Sequence, residues 1–390
     1  RKGLIMKYLM IFLIIFSAQF FSEERINTAD APNTILFWNT SQKIEGFRNI
    51  KEILPTRLIS KSEQPYQLTQ NLIDLSDLNY NFAGKKYSID DYIKTFKVAG
   101  LIVVRDGVIL YEDYNFGNNE LSKWVSFSVT KSVTSMLLGA AIKDGFINSV
   151  EDEVTTYLPQ LANSKYEGVT IKEVLHMSSG VDWNEDYTDP QSDVNIAGAM
   201  NSLTLYKYLK TLGVSASPGS KFNYNTGETN LLGGIVRSAI GNNLSSYLEQ
   251  KIWKPFGMEH DAFWATDTDF DQELGGCCIN ASLRDYARIG IFAMDNGLLI
   301  DGTMTLPEYW MDESTTPSPN YDYYGYQWWL DGKEYSSFYA DGIFGQFIWI
   351  YPISRTVVAM HSARDSADVD SYVGGHRLNF MVSLINTINR

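Results

Sequence analysis

The chain has 390 residues, which is enough for two or three domain-sized units or for one domain with a large insertion. Hydrophobic residues make up 44% of the sequence and charged residues 20%, so we expect a packed core and exclude wholesale disorder. The formal net charge is −14, with no cluster of lysines and arginines. This excludes nucleic acid as a partner, because neutralising phosphates requires such clusters.

The first residues have the pattern of a targeting segment. Met6 and Lys7 precede an almost wholly apolar run at 8–16, and small residues follow at 17–19. This pattern predicts a signal peptide over residues 1–24, with a retained single-pass anchor as the alternative and a core strand or helix as a third interpretation. Either targeting interpretation predicts a periplasmic or secreted protein that meets a membrane only through this segment. Residues 25–95 then form an N-terminal extension.

A predicted hairpin and a predicted buried helix follow the extension. Residues 98–114, VAGLIVVRDGVILYEDY, hold two β-rich runs around Asp106-Gly107, which predicts a tight turn. Residues 128–144 predict a helix that ends at Gly145 and is apolar on nearly all sides, so we expect it to be buried. From 152 to about 288 the pattern is mostly helical with long loops, and helices are expected at 170–177, 203–212, 230–240 and 283–294.

The last part of the chain returns to strands. Runs at 324–330, 336–342, 345–352 and 355–362 are spaced for an antiparallel meander, and residues 372–388 predict a closing helix. Strands at both ends and helices between them predict an α+β fold. One antiparallel sheet flanked by helices, from residues 96–150 and 290–390, would carry an inserted and mostly helical domain at 151–289. Binding sites commonly form in the crevice between two such parts.

Neither a metal nor another cofactor is indicated. The two cysteines, Cys277 and Cys278, are adjacent, so we expect two buried thiols, with a strained vicinal disulfide as the alternative. No histidine and cysteine set has the spacing of a zinc site. The segment 267–271, DTDFD, resembles the start of a calcium loop, but the twelfth loop position is Cys278 instead of glutamate, which excludes an EF-hand.

Ser128 and Lys131 are three residues apart at the start of the apolar helix, so both project from one face. Ser128 lies near the positive end of the helix dipole, where an anion is stabilised. Lys131 is surrounded by apolar positions, and a desolvated lysine can accept a proton. The pair therefore indicates a nucleophile with its base. The alternative is a capping serine followed by a solvated lysine.

Two further segments offer the remaining parts of a catalytic site. Tyr224 stands in a loop just before a predicted helix, where a phenol could pass a proton to a leaving group. The segment 339–346, YADGIFGQ, places glycines at a strand junction, which suits close approach of backbone to a ligand. Packing and a β-bulge are the respective alternatives. The sequence contains no G-x-S-x-G motif, which argues against a histidine-based triad.

In this order and spacing, the motifs resemble the penicillin-recognising serine hydrolases, especially the class C β-lactamase-like branch with its 6-aminohexanoate-dimer hydrolases and carboxylesterases. The resemblance runs from about Leu101 to the end. The segments that carry it are SFSVTKS, YLPQL, MSSGVDWNEDYTDPQSD, FNYNTGETNLLG, SLRDYARIG, YQWW and GIFGQFIWIYP.

The resemblance implies a role for each matched position. Ser128 becomes the nucleophile, Lys131 the general base and Tyr224 the proton carrier to the leaving group. The backbone N–H groups of Ser128 and Ile343 become the oxyanion hole. Tyr187 matches a tyrosine that closes over substrate and favours amide cleavage in the 6-aminohexanoate-dimer hydrolases.

Substrate-binding positions depart from true β-lactamases. Thr226 stands where class C enzymes carry asparagine, and Ala340-Asp341-Gly342 stands at their Lys-Thr-Gly position, so the lysine that binds a lactam carboxylate is missing. An acidic group near Tyr187 is either a solvated face or a site for a substrate ammonium group. Its members are Asp182, Glu185, Asp186, Asp189 and Asp193.

The sequence therefore predicts a cofactor-free serine hydrolase that cleaves small esters or amides through an acyl-enzyme. A β-lactamase or D-Ala-D-Ala carboxypeptidase is the first alternative. A catalytically silent binding or sensor module on the same fold is the second.

Overall fold

The computed structural model describes residues 35–332 and 336–389. The predicted targeting segment at 1–24 lies outside these residues, so its assignment stays a prediction. Within the described ranges, no helix is both long enough and apolar enough to cross a membrane.

The helices fall mostly in the middle of the chain. They are α1 (Thr40–Gly46), α2 (Ile50–Ile53), α3 (Ile89–Phe96), α4 (Val129–Lys143), α5 (Val154–Tyr157), α6 (Ile171–Leu175), α7 (Asp193–Gly198), α8 (Ser202–Leu209), α9 (Thr226–Ile240), α10 (Leu244–Leu248), α11 (Lys254–Phe256), α12 (Leu283–Met294), α13 (Trp310–Ser314) and α14 (Ser371–Ile388).

The strands fall mostly towards the two ends. They are β1 (Thr56–Ile59), β2 (Thr69–Gln70), β3 (Asn79–Phe82), β4 (Lys85–Ser88), β5 (Val98–Arg105), β6 (Val108–Tyr114), β7 (Trp124–Val125), β8 (Ala262–Ala265), β9 (Ile279–Ala281), β10 (Trp329–Leu330), β11 (Phe338–Gly342), β12 (Gln346–Tyr351) and β13 (Thr356–Ser362).

The main sheet joins strands from both ends of the chain in the order β10-β11-β12-β13-β5-β6-β2. Strands β10 to β13 form the predicted meander, and β13 pairs antiparallel with β5. The α+β class with a largely antiparallel sheet flanked by helices is confirmed. One edge strand departs from the antiparallel pattern: β2, from the N-terminal extension, pairs parallel with β6.

The β5–β6 hairpin turns at Asp106-Gly107, as predicted. Both residues have positive φ, 53° and 76°, and Arg105 pairs with Val108. A two-residue turn with two positive φ values matches the right-handed twist of the strands it connects.

Strand β5 is buried on both faces. Ile102 and Val104 face the core shared with helices α4 and α12, whereas Leu101 and Val103 face the core shared with α3 and α14. The main sheet is therefore the middle layer of a three-layer unit. Helices α5 to α9 lie beyond α4, and α9 packs directly on it.

A second sheet, in the order β1-β8-β9-β7, was not predicted. Its strand β7 ends three residues before Ser128, and its strand β1 comes from the N-terminal extension. The extension thus contributes to the wall of the region around Ser128.

The predicted strand at 324–330 is present only as Trp329–Leu330, because the chain bends at Gln327, where φ is 62°. The bend places the Gln327 amide between helices, where it donates to the Leu175 carbonyl at 2.9 Å and accepts from Thr229 Oγ1 at 2.7 Å. A buried amide needs hydrogen-bond partners, and the bend that provides them for Gln327 prevents residues 324–328 from continuing the strand.

Helix α4 is buried on nearly every side, as predicted, and at Gly139 it packs directly against Trp310. A Cβ at Gly139 would lie 2.6 Å from Trp310 Cε2 on α13. We expect Gly139→Ala to lower the free energy of unfolding by about 1–3 kcal/mol, because the indole must move to admit the methyl group. Urea denaturation measures the change.

Gly198→Ala on α7 is the matched control, since a Cβ there meets nothing within 4 Å. It should change the free energy of unfolding by less than about 1 kcal/mol. Equal losses in the two variants would show that Trp310 does not limit the packing of α4.

Candidate active site

Ser128 stands at the junction between strand β7 and helix α4. It is the N-cap residue of α4, but its side chain accepts no capping hydrogen bond. Phe127, immediately before it, has φ of 43°, so the chain turns sharply just before the serine. Because the hydroxyl is not used as a cap, it is available to the cavity, which Ser128 lines.

Lys131 holds its amine among three oxygen atoms. Nζ lies 2.9 Å from Ser128 Oγ, 2.9 Å from Thr226 Oγ1 and 3.0 Å from the Gly276 carbonyl oxygen. The residue is 1% exposed. A neutral amine can donate its two hydrogens to Thr226 and Gly276, which leaves its lone pair directed at the Ser128 hydroxyl.

Burial lowers the pKa of Lys131 from its usual 10.5 to about 8, and the negative charge of Glu185 partly opposes the decrease. A substantial fraction of the amine is thus neutral near pH 8 and able to accept the Ser128 proton. The alternative of a capping serine with a solvated lysine does not fit this geometry.

Tyr224 lies in the loop before helix α9, whose N-terminus is capped by the neighbouring Asn225. Its ring stacks on Trp329 with centroids 5.5 Å apart, and Lys131 Nζ lies 5.2 Å from its centroid. Burial and then the charge of Glu185 raise the pKa of Tyr224 well above its usual range, and the neighbouring Ser128 partly opposes them. The phenol is therefore protonated beside the nucleophile, ready to donate.

Two backbone N–H groups are free to bind an oxyanion. Within residues 35–332 and 336–389, neither the Ser128 nor the Ile343 N–H has a hydrogen-bond acceptor, and both residues line the cavity. Gly342 lets the strand end approach, because a Cβ there would collide with the Ser126 carbonyl oxygen. The arrangement offers two converging donors of the kind that stabilises a tetrahedral intermediate.

Glu185 organises the side of the site opposite Ser128. Its carboxylate accepts hydrogen bonds from Trp183 Nε1, from the Thr226 N–H at 3.0 Å, from Thr226 Oγ1 and from the Tyr187 hydroxyl at 2.7 Å. Thr226 therefore links Glu185 to Lys131. From the sequence, Glu185 was one of five acidic residues without a separate role, and nothing in the local pattern distinguishes it from the others.

The other acidic residues of this loop either accept hydrogen bonds from backbone N–H groups of the loop or are exposed. Asp186 accepts from the Thr188 N–H at 2.8 Å, and Asp189 accepts from the Gln191 N–H at 2.9 Å. Asp193 accepts from the Asn184 N–H at 2.6 Å, and Asp182 is exposed. These contacts fit the solvated-face alternative better than a built ammonium site.

The predicted substrate-binding residues divide into two groups. Tyr187 and Thr226 line the cavity beside Ser128. In contrast, Ala340 is 1% exposed, and Asp341 forms an ion pair of 2.7 Å with Arg377 of α14 on the far face of the sheet. Strand β11 therefore presents no free charge beside the nucleophile.

The site opens into a cavity of about 190 Å³ with mostly apolar walls. Trp183, residues from helices α7 and α8, and Ile35 and Leu36 of the N-terminal extension line it. Sequence reasoning missed the extent of this cavity, because its walls come from eight separate segments of the chain.

Cys277 and Cys278 also line this cavity. They are joined in a vicinal disulfide, which was the alternative, so the expectation of two buried thiols was wrong. Metal-ligand clusters are not found in the described part of the chain: no three histidine, cysteine or acidic side chains there are grouped to hold an ion.

The sequence model of the β-lactamase family matches residues 89–377, about three quarters of the chain. The chain belongs to the β-lactamase family. This β-lactamase-family protein is 28% identical over 352 residues to the 6-aminohexanoate-dimer hydrolase of Paenarthrobacter ureafaciens, covering 84% of this chain and 87% of the relative. The resemblance inferred from the motifs is confirmed.

Two solved structures share the fold of this β-lactamase-family protein. One is a Bacillus anthracis protein assigned as a 6-aminohexanoate-dimer hydrolase, with a TM-score of 0.79 and 23% identity over 89% of this chain and 94% of that one. The other is a class C β-lactamase, with a TM-score of 0.57 and 16% identity over 76% of this chain and 93% of that one. The protein is a serine hydrolase of this family.

The contacts of Glu185 predict a change in pH dependence. In the wild type, we expect kcat/KM to rise with pH through about 8 as Lys131 loses its proton. The Glu185 charge favours the ammonium form of Lys131, so Glu185→Gln should lower the pKa of Lys131. The rising part of the pH–rate profile, its acid limb, should then move to lower pH by about one unit. Initial rates on a neutral ester between pH 5 and 10 measure the limb.

Asp186→Asn is the matched control, because it removes the same charge from an exposed residue of the same loop. Its acid limb should coincide with that of the wild type. An unshifted limb in Glu185→Gln, or a shift to higher pH, would contradict the electrostatic role of Glu185.

Proposed function

We propose that this protein hydrolyses linear amides and esters through an acyl-enzyme on Ser128, with amides of the 6-aminohexanoate type as the favoured class. The observation that carries the proposal is the buried Lys131 amine, held within 3.0 Å of Ser128 Oγ, Thr226 Oγ1 and the Gly276 carbonyl. The relative from Paenarthrobacter ureafaciens supports the amide class, because its name states hydrolysis of the 6-aminohexanoate dimer.

The first half-reaction follows from the contacts. The substrate carbonyl oxygen accepts from the N–H groups of Ser128 and Ile343, while Ser128 Oγ attacks the carbonyl carbon and its proton passes to Lys131. The tetrahedral intermediate then collapses as Tyr224 donates its proton to the departing nitrogen or oxygen, and Lys131 restores it to Tyr224. Water repeats these steps on the acyl-enzyme and releases the acid.

Tyr187 distinguishes amides from esters. The Tyr187 hydroxyl donates its hydrogen bond to Glu185 Oε1, with 2.7 Å between the two oxygen atoms. Its lone pairs are therefore free to accept a hydrogen bond from the N–H of a substrate amide. That contact would hold the nitrogen so that its lone pair faces Tyr224 as the C–N bond breaks. An ester has no such hydrogen and gains nothing from the contact.

The β-lactamase or D-Ala-D-Ala carboxypeptidase alternative needs a cation beside the nucleophile for the substrate carboxylate. The strand position that supplies it in true lactamases is Ala340, and the adjacent Asp341 is negative and paired with Arg377. The silent-module alternative would require an unreactive serine, which the short contact between Ser128 and Lys131 argues against.

The direct test is Ser128→Ala. We expect at least about a thousandfold loss of kcat on p-nitrophenyl esters and on the 6-aminohexanoate dimer, and loss of labelling by a fluorophosphonate in intact-mass spectra. The fold should persist, because the hydroxyl caps nothing.

Ser135→Ala on the same helix is the control, since Ser135 Oγ is buried without a hydrogen-bond partner in the described residues. It should keep activity and labelling. An unlabelled wild type would favour the silent module, and nitrocefin turnover as fast as ester turnover would favour the β-lactamase.

Tyr187→Phe should lower kcat for an amide about tenfold to a hundredfold and leave the ester with the same acyl group nearly unaffected. The lost hydrogen bond acts on the breaking C–N bond, so the change should appear in kcat more than in KM. Steady-state rates on the matched amide and ester give both constants.

Tyr208→Phe removes another phenol that donates to a carboxylate, Asp193, away from Ser128. It should affect the two substrates alike. If Tyr187→Phe also slows both equally, Tyr187 only packs its loop.

A further inference from the structure

The cavity continues well beyond the reacting atoms, along one helix. Thr226, Gly227, Asn230 and Arg237 of α9 all line it, with Thr226 next to Ser128 and Arg237 at the other end. Arg237 is eleven positions after Thr226, and at about 1.5 Å of rise per residue the two lie about 16 Å apart along the helix.

The walls between these ends suit an unbranched chain. Val194, Ala197, Met200 and Leu205 of the α7–α8 region face helix α9 across the cavity. Methylene groups in this passage would leave water for an apolar surface, which is favourable.

Arg237 is the cation at the far end, and its charge is not compensated there. Nη1 donates to the Glu273 carbonyl oxygen at 3.0 Å, and Nη2 lies 3.5 Å from the Tyr206 hydroxyl. Gly234 makes room for that hydroxyl, since a Cβ would collide with it. Among the described residues Arg237 forms no ion pair, so several of its five N–H donors stay available.

The two carboxylates near Arg237 already accept hydrogen bonds from other groups. Glu273 is paired with Arg57 at 3.0 Å and accepts from the N–H groups of Leu244 and Ser245. Asp267 accepts from the Ser202 N–H at 2.9 Å and the Phe270 N–H at 2.7 Å. Among the described residues, the charged group at this end that lacks an ion-pair partner is therefore the guanidinium, which prefers a carboxylate.

We propose that Arg237 forms a carboxylate subsite at the far end of the cavity, so that the preferred substrates are linear amides or esters with one arm ending in a carboxylate. The proposal rests on the proposed function, because it names the substrate class of the same site. The carboxylate takes no part in bond breaking. It fixes the position of the chain, so that the scissile carbonyl stops beside Ser128.

The test compares linear substrates that end in a free carboxylate with the same compounds capped as methyl esters. The pairs are p-nitrophenyl monoesters of linear dicarboxylic acids, with the carboxylate on the acyl arm, and N-acyl-6-aminohexanoates, with it on the leaving arm. With a net charge of −14, the protein repels anions in general, so a preference for the free carboxylate requires a local cation.

In the wild type, kcat/KM should favour the free carboxylate by about tenfold or more on one of the two arms, and only for chains long enough to reach Arg237. Arg237→Gln should bring the ratio to about one or below, and Arg237→Lys should keep part of it. Lys207→Gln, which removes an exposed charge from α8 outside the cavity, should keep the wild-type ratio.

Failure of this inference is distinguishable from failure of the proposed function. If the capped substrates are hydrolysed but the ratio is at most one, or survives in Arg237→Gln, the carboxylate subsite is wrong and the hydrolase stands. A preference for ammonium-ended chains would likewise overturn it and point to Asp267.

A binding measurement does not depend on turnover. Calorimetric titration of the Ser128→Ala variant with 6-acetamidohexanoate should show binding that is lost when Arg237→Gln is added. Equal binding with and without Arg237 would overturn the subsite even if no substrate were hydrolysed.

Discussion

The burial of one amine determines the chemistry of this molecule. Lys131 is 1% exposed, and its Nζ lies within 3.0 Å of three oxygen atoms, from the cap residue of α4, from the start of α9 and from the loop before β9. Removing an ammonium group from water favours the neutral form, which is the form that can take a proton from serine. The site therefore depends on three segments closing around Lys131, because exposure of the amine would restore its charge.

A single carboxylate, that of Glu185, limits how far burial lowers the pKa of Lys131. Glu185 attracts a proton on Lys131 through Thr226, so it opposes burial and keeps the pKa of Lys131 near 8. The same carboxylate accepts a hydrogen bond from the Tyr187 hydroxyl, which leaves the lone pairs of that phenol free to accept a hydrogen bond from a substrate. This one carboxylate thus adjusts the base and orients a substrate contact, and its four donors come from both α9 and its own loop.

The elements of the fold that could be predicted are those determined by residues within the element itself or directly beside it. The β5–β6 hairpin follows from Asp106-Gly107 between two apolar runs, and α4 follows from a long apolar stretch that ends at a glycine. Ser128 and Lys131 were predicted as nucleophile and base from their spacing at a helix start, and Tyr224 was predicted through the resemblance to a known family. Glu185 and the second sheet were not, since their partners lie tens or hundreds of residues away. The pairing of β1 with β8 and the contact of Glu185 with Thr226 join residues that are far apart in the chain. Such contacts produce no repeating pattern of residue types from which they could be predicted.

The placement of positive charge explains how one scaffold can serve different substrates. A cation on the strand beside the nucleophile suits a compact substrate whose carboxylate is close to the scissile bond. Here that strand carries Ala340, and the charge of Asp341 is neutralised by Arg377 on the opposite face of the sheet. The cation that lines the cavity without an ion pair in the described ranges, Arg237, lies about three turns further along α9. A carboxylate bound there has to be connected to the scissile bond by a long chain, and the apolar walls between the two ends favour one made of methylene groups.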